Sequence, residues 1–328
     1  MNTPNLFKYA TSELSQDAII CYILEWAKIE NKKLNSELHQ LGINFLNSLF
    51  NKFDNINKPT QYDEINIKKQ YKNIDILCIV NNEYSIIIED KTNTKNHSNQ
   101  LSRYYKQIEE DSDSTKILPI YFKTGDQSNH ENIIENGYQI YLREDFLKVL
   151  KSNKIQNNVI NEYTDYIQNI EDSINSYKSL PINDWNYDSW KGFFKELKIL
   201  LNDGNWDYVP NPQGGFLGFW WNWSNNDNFK FYLQINHNIG KIIFKLYTKT
   251  DEKIDKLVID KWKQHIAYND KNLSIIKPKV VRRGKSATVG ILENEFRITN
   301  NKNIIDMEET VKFIKNIENI KLEKFKTF

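Results

Sequence analysis

The sequence predicts a mixed α/β chain in two parts: a mixed sheet flanked by helices over residues 1–180, then an α+β module with an antiparallel sheet over residues 181–328. Three observations predict it. Apolar residues recur at helical spacing through the first fifty positions. Short β-branched runs then follow one another, with a helical stretch between the third and the fourth, which is the order of a sheet covered by helices. Composition shifts at SLPIND, residues 179–184, beyond which lie seven of the eight tryptophans.

Taken in order, Ser12 is placed to cap a helix over residues 12–29, with Leu14, Ala18, Cys21, Tyr22 and Trp26 as its apolar stripe. A second helix is expected over 35–53. After Pro59 come strands at 64–69, 74–80 and 84–90, a helix at 98–110, strands at 117–122 and 137–142, and a helix at 159–177. The order is α-α-β-β-β-α-β-β-α. The second part offers a helix at 187–201, strands at 217–223, 229–236 and 241–247, a helix at 253–268, two more strands and a terminal helix.

The totals narrow the classes. At 328 residues the chain has length for two cores. No run approaches the ~20 apolar residues of a membrane span, and MNTPNLFKYA lacks the form of a signal peptide, so a cytoplasmic protein without a membrane partner is expected. Two cysteines, Cys21 and Cys78, both in apolar segments, leave no disulfide framework or Cys-based zinc site. The net charge of +1 hides an asymmetry: residues 1–180 carry 20 Lys and Arg against 25 Asp and Glu, whereas 181–328 carry 24 against 18. A modestly basic second part suits a polyanion, or simply a solvated mixed-charge surface.

The run IIIEDK ends in three charges, which packing alone does not require. On a strand, Glu89 and Lys91 point to one face and Asp90 to the other. Asp75 lies fourteen residues before Glu89, on the strand IDILCIV. If Asn81, Asn82 and Glu83 form a three-residue loop, Val80 pairs with Tyr84 and Asp75 falls opposite Glu89. A two-residue loop would slip the register and place Asp75 against Ile88. Two adjacent carboxylates repel unless a cation lies between them, and oxygen ligands on a rigid sheet suit Mg²⁺. Lys91 adds a charge that can hold a phosphate oxygen or orient water. The chemistry implied is metal-assisted phosphodiester hydrolysis, and a salt-bridged strand end is the plainer account of the same residues.

The D-x13-E-D-K pattern of Asp75, Glu89, Asp90 and Lys91 resembles the PD-(D/E)XK nuclease superfamily. So does Gln100 with Tyr104, a Q-x-x-x-Y on the following helix similar to the RecB-like branch. FKYATSELSQDAIICYILEWA and IIIEDKTNTKNHSNQLSRYY together look like a bacterial family within it, over about residues 5–122. The resemblance implies a restriction-endonuclease-like fold, with Asp75, Glu89 and the Asp90 backbone carbonyl as ligands of Mg²⁺, for which Mn²⁺ would substitute. It implies that Lys91 activates water or stabilises the phosphorane charge, and that Glu13 is the acidic residue brought to the site by the first helix. Gln100 and Tyr104 would contact substrate or orient the carboxylates, unless Tyr104 only packs. The motif's proline is absent, Asn73 and Ile74 preceding Asp75.

In the second part, KPKVVRRGKS carries Lys277, Lys279, Arg282, Arg283 and Lys285 with no acid, a candidate phosphate-binding loop or a solvated hairpin tip. Its GKS is not a phosphate-binding loop motif, because Lys279 stands where the upstream glycine belongs. In GFWWNW, alternation puts Phe219, Trp221 and Trp223 on one face and Trp220 on the other, so at least one face is core. His97 reads as a loop histidine near the site. The resulting expectation is a Mg²⁺-dependent DNA nuclease, in antiphage or foreign-DNA defence, acting as a homodimer or with a defence-system partner protein. RNA is the alternative substrate, since attack on phosphorus does not involve the base. A binding module that does not cleave is the alternative of a different class.

Overall fold

A computed structural model describes residues 4–94, 99–111, 116–152, 154–211, 214–226, 228–268, 273–278 and 284–318. The chain divides into two compact units, residues 1–172 and 173–328. The division falls about eight residues before the boundary expected from composition.

The first unit begins with α1 (Glu13–Trp26) and α2 (Ser36–Phe50). Ser12 accepts from the Ser15 amide, and Asn35 accepts from the amides of Glu37 and Leu38, so both helices start on capping side chains. The helices touch closely at Gly42, where a Cβ would lie 2.5 Å from the Ala27 nitrogen. There follow β1 (Ile65–Tyr71), β2 (Ile74–Val80), β3 (Tyr84–Lys91), α3 (Gln100–Asp111), β4 (Lys116–Lys123), α4 (Glu131–Glu135), β5 (Gln139–Leu142), α5 (Arg143–Leu150) and α6 (Asn158–Asn175). The strands form one sheet in the order β1-β2-β3-β4-β5, antiparallel from β1 to β3 and parallel from β3 to β5. This is the predicted mixed sheet flanked by helices. The short helices α4 and α5 were absent from the sequence expectation, because eight residues or fewer hold too little periodicity to declare themselves.

Alternation sorts the strands between two cores. Ile76, Cys78, Ile86, Ile88 and Ile120 pack toward α1, α2, α5 and α6, whereas Leu77, Ile87 and Tyr121 pack toward Leu101, Tyr104 and Ile108 of α3. Each wholly buried isoleucine contributes about 1.5–3 kcal/mol, so the register of β3 is strongly fixed. Of the expected α1 stripe, Cys21, Tyr22 and Trp26 pack partly buried against this core, and the other two positions do not. Leu14 is 59% exposed and Ala18 is also exposed; α1 instead turns Gln16, Asp17, Ile19, Ile20, Ile23 and Leu24 inward. The buried face includes two polar residues, which a stripe drawn through apolar positions alone passes over.

The second unit comprises α7 (Tyr187–Leu201), β6 (Asn205–Val209), β7 (Phe216–Asn226), β8 (Phe229–Asn236), β9 (Lys241–Thr248), α8 (Lys256–Tyr268), β10 (Ile275–Ile276), β11 (Ser286–Leu292) and α9 (Met307–Glu318). Its strands make one antiparallel sheet, β10-β11-β9-β8-β7-β6. Trp190 and Phe194 of α7, Trp262 of α8 and Ile314 of α9 share a core with Phe219, Trp221, Leu233, Phe244 and Val289 of the sheet. The predicted α+β module is therefore present, with β6 as a strand the sequence did not announce. Trp223 departs from the expected alternation. A bulge between Trp221 and Ser224, with Asn222 in the left-handed region at φ 53°, turns Trp223 away from that core and leaves it 46% exposed.

Candidate active site

The β2–β3 hairpin decides whether two carboxylates meet. Val80 pairs with Tyr84 and Ile76 with Ile88, the register of a three-residue loop, so Asp75 and Glu89 are opposed at the next step. The loop holds because Asn81 and Asn82 adopt left-handed backbone at φ 52° and 51°, a conformation that asparagine tolerates better than most residues. Asn81 also accepts from the amides of Asp63 and Glu64 and donates to the Gln61 carbonyl.

At the strand end the charged groups converge. The Lys91 ammonium lies 2.5 Å from Glu89 Oε1, 2.8 Å from the Asp90 carbonyl oxygen, 3.4 Å from Asp75 Oδ2 and 3.9 Å from Glu13 Oε2. Asp75 Oδ2 also accepts from the Asp90 amide at 2.9 Å. Glu13 enters from the first turn of α1 and accepts from the Thr92 amide at 3.1 Å and the Thr94 hydroxyl at 2.5 Å. On the α3 side, Gln100 donates to Glu89 Oε1 at 2.7 Å and to the Tyr104 hydroxyl at 3.1 Å. Tyr104 is buried in the core between α3 and the sheet, so it stands behind the carboxylates.

The electrostatics follow from burial. Glu89 is fully buried, and burial first, then the nearby Asp75, push its pKa up to about 7 despite Lys91. Burial would lower the Lys91 pKa, but Glu89, Asp75 and Glu13 together hold it above its ordinary value, so Lys91 is an ammonium at neutral pH. Glu89 Oε2 is buried and accepts no hydrogen bond from any described residue. Two carboxylates, one of them with a buried oxygen that accepts from no described donor, and one backbone carbonyl form the hard oxygen set that a divalent cation prefers. Among the described residues no group of three or more His, Cys, Asp or Glu side chains is arranged to hold a metal ion. The set here has two side chains and a carbonyl, with Lys91 lying among them.

Three residues of this neighbourhood were missed by reading the sequence. Asp90 points to the opposite face of the sheet, where Gln16 donates to its Oδ1 and Asp17 faces it. Asp17 Oδ1 and Asp90 Oδ2 are both buried without a donor among the described residues, and one proton shared between the two carboxyls satisfies both. Burial, then Asp75, raise the Asp17 pKa to about 6; burial raises Asp90 well above the carboxylate range. Gln70, opposite Asp75 on β1 and at φ 53°, extends its amide to Asp75 Oδ1 at 3.3 Å and to Asp17 Oδ2 at 3.4 Å. Gln16 in turn accepts from Thr124 and Tyr163. The available signal was a pair of polar residues, Gln16 and Asp17, on the inward face of an otherwise apolar helix.

A protein-family comparison matches residues 4–181 to the model of the PD-(D/E)XK nuclease superfamily. The chain belongs to that superfamily. Neither a curated protein nor a solved structure matches it. Members of the superfamily are in general metal-dependent nucleases, which gives the Asp75, Glu89 and Lys91 cluster its context. In the second unit, Lys277 is exposed and Lys285 pairs with Asp251 at 2.6 Å. Lys279, Arg282 and Arg283, together with His97, lie outside the described residues. No described helix is long and apolar enough to cross a membrane.

Proposed function

We propose that this PD-(D/E)XK protein is a Mg²⁺-dependent nuclease that hydrolyses DNA phosphodiester bonds, in a system directed against phage or other foreign DNA. The observation that carries the reading is the convergence of Asp75, Glu89 and the Asp90 carbonyl around Lys91 in a superfamily of nucleases. Asp75, Glu89 and the Asp90 carbonyl would hold Mg²⁺, and Mn²⁺ would serve in its place. The cation supplies Lewis-acid stabilisation of charge on the phosphate and lowers the cost of forming a nucleophile from water.

The chain's own groups do the rest. Lys91, positively charged at neutral pH, donates hydrogen bonds to a non-bridging phosphate oxygen as negative charge develops there. Already protonated, it has no lone pair with which to take a proton from water. Gln100 fixes the Glu89 carboxylate from the α3 side, with Tyr104 behind it. Glu13, held by Thr92 and Thr94, closes the site from α1 and can accept a hydrogen bond from water.

The test incubates the purified chain with circular single- and double-stranded DNA and with RNA, in Mg²⁺ or EDTA, beside Lys91→Ala. Cleavage that needs Mg²⁺ and falls at least a hundredfold in the variant is the expected outcome, the size usual for loss of one preorganised charge at a reacting centre. Preferential cutting of RNA would replace the DNA assignment. Undiminished cleavage by Lys91→Ala would remove the site from the mechanism.

A further inference from the structure

The sheet of the second unit has a face that its own core does not use. The described helices α7, α8 and α9 share the core on one side of the six-stranded sheet. The side chains that alternation sends to the other face are of a different kind. Trp223 of β7 stacks on Tyr232 of β8 with ring centroids 4.1 Å apart and planes inclined by 17°. Tyr232 pairs across the sheet with Lys245 of β9, which pairs with Thr288 of β11. Trp223, Tyr232, Lys245 and Thr288 therefore form one row across four strands. In the neighbouring row, Trp220 pairs with Gln234. On the other side of the first row lies Tyr247.

Two groups in these rows lack the partners that a purely structural surface would give them. Gln234 is only 8% exposed, yet its side-chain amide makes no hydrogen bond to any described residue. Its amide atoms still reach the surface, where they can meet a ligand. Lys245 is half-buried, and its one hydrogen-bonding neighbour among the described residues is the Thr288 hydroxyl at 3.4 Å. Among the described residues no carboxylate offsets it, and burial alone lowers its pKa to about 8. An anion brought to Lys245 would favour its charged form further and offset the cost of its burial. A protein partner is the poorer match, because lysine is depleted at the cores of protein interfaces.

We propose that this face of the C-terminal sheet binds single-stranded nucleic acid, with bases stacking on Trp223 and Trp220, Gln234 meeting a base edge and Lys245 a backbone phosphate. A sheet face carrying aromatic rings beside a basic side chain is a physical match for unpaired bases, whose faces are hidden inside a duplex. Trp223 and Lys245 are two strand spacings apart, about 10 Å, so one short stretch of strand reaches both. The choice of polyanion rests on the nuclease reading of the first unit, and the inference goes beyond it by naming the form of the substrate and where it is held.

The test uses the full wild-type chain in EDTA, so that nothing is cut. Fluorescence polarisation is measured with labelled oligodeoxythymidylate and oligouridylate of ~20 nucleotides, longer than such surfaces usually cover, and with a duplex of the same length. Single strands are expected to bind more tightly than the duplex. Trp223→Ala should weaken single-strand binding about tenfold, and Trp223→Phe should recover most of the loss. Lys245→Gln should weaken binding and flatten the dependence of log K on log salt by about 0.7, one phosphate contact on a single strand. Melting temperature and circular dichroism identify variants that fold as the parent does, and Lys245→Gln alone decides the matter should Trp223→Ala not fold.

Folded Trp223→Ala and Lys245→Gln chains that bind like wild type would overturn the proposal, as would a duplex preference indifferent to both changes. A concentration-dependent dimer abolished by Trp223→Ala would also overturn it, assigning the face to a second copy of the chain. The two readings fail separately. Tight, Trp223-dependent binding without Mg²⁺-dependent cleavage would keep the platform and remove the nuclease, whereas cleavage with unchanged binding by both variants would do the reverse.

Discussion

Asp17 shows how much one buried residue can shape the pH behaviour of the whole chain. Its carboxyl pKa rises from an ordinary 3.8 to about 6 in the fold, by burial and then by Asp75. An acid whose pKa is raised on folding binds protons more readily in the native state, so its contribution to stability is lost as pH rises through the window from about 3.8 to about 6. Asp17→Asn removes a carboxylate that is 1% exposed and leaves an amide oxygen able to accept the Asp90 proton. At pH 8 the variant should resist urea better than wild type, by at most about 3 kcal/mol at 1.36 kcal/mol per pKa unit, and at pH 4 the advantage should nearly vanish. A variant less stable than wild type at pH 8 would show that the Asp17 charge is compensated. Residues of this kind were the hardest to find in the sequence. Asp75, Glu89 and Lys91 declare themselves by spacing along strands, whereas Gln16, Asp17 and Gln70 matter only through which side of Asp90 and Asp75 they reach.

The β2–β3 hairpin was legible as an element because period-two alternation and a short polar loop admit only two registers, and only one of them opposes the carboxylates. What the sequence withheld was how the loop is held. Asn81 combines a left-handed backbone with three hydrogen bonds to the segment before β1. Asn81→Ala should therefore cost about 2 kcal/mol, from strain at positive φ and lost hydrogen bonds, and Asn81→Gly should cost less because glycine relieves the strain. Urea denaturation measures both, and cleavage well below the melting transition should keep its wild-type rate. A large rate loss in a folded Asn81→Ala chain would mean that the loop tunes the Asp75–Glu89 opposition directly. The bulge in β7 is the contrary case. Strict alternation put Trp223 beside Trp221 in the core, and only the left-handed Asn222 sends it to the other face. A bulge adds one residue without changing composition, so no periodicity reports it.

At the scale of the molecule the two units differ in how far sequence reading could go. The first carries a motif whose chemistry requires fixed residues at fixed spacing, and the family match covers residues 4–181. The second carries no such motif, so its meaning had to come from geometry: which aromatic rings the core does not claim, and which polar groups it leaves without partners. Linking the proposed platform to the proposed chemistry gives a prediction that neither unit makes by itself. A small chromogenic phosphodiester has no run of bases to stack on the C-terminal sheet, whereas a long single strand has. Trp223→Ala should leave hydrolysis of the small diester unchanged while raising KM for a long single strand about tenfold at constant kcat, the pattern of binding energy lost equally from ground and transition states. Lys91→Ala should abolish both activities. Steady-state kinetics with the two substrates separates the outcomes: a fall in kcat toward the small diester in Trp223→Ala would make the ring part of the catalytic machinery, and equal KM values for wild type and variant on the long strand would leave the C-terminal sheet without a part in substrate capture.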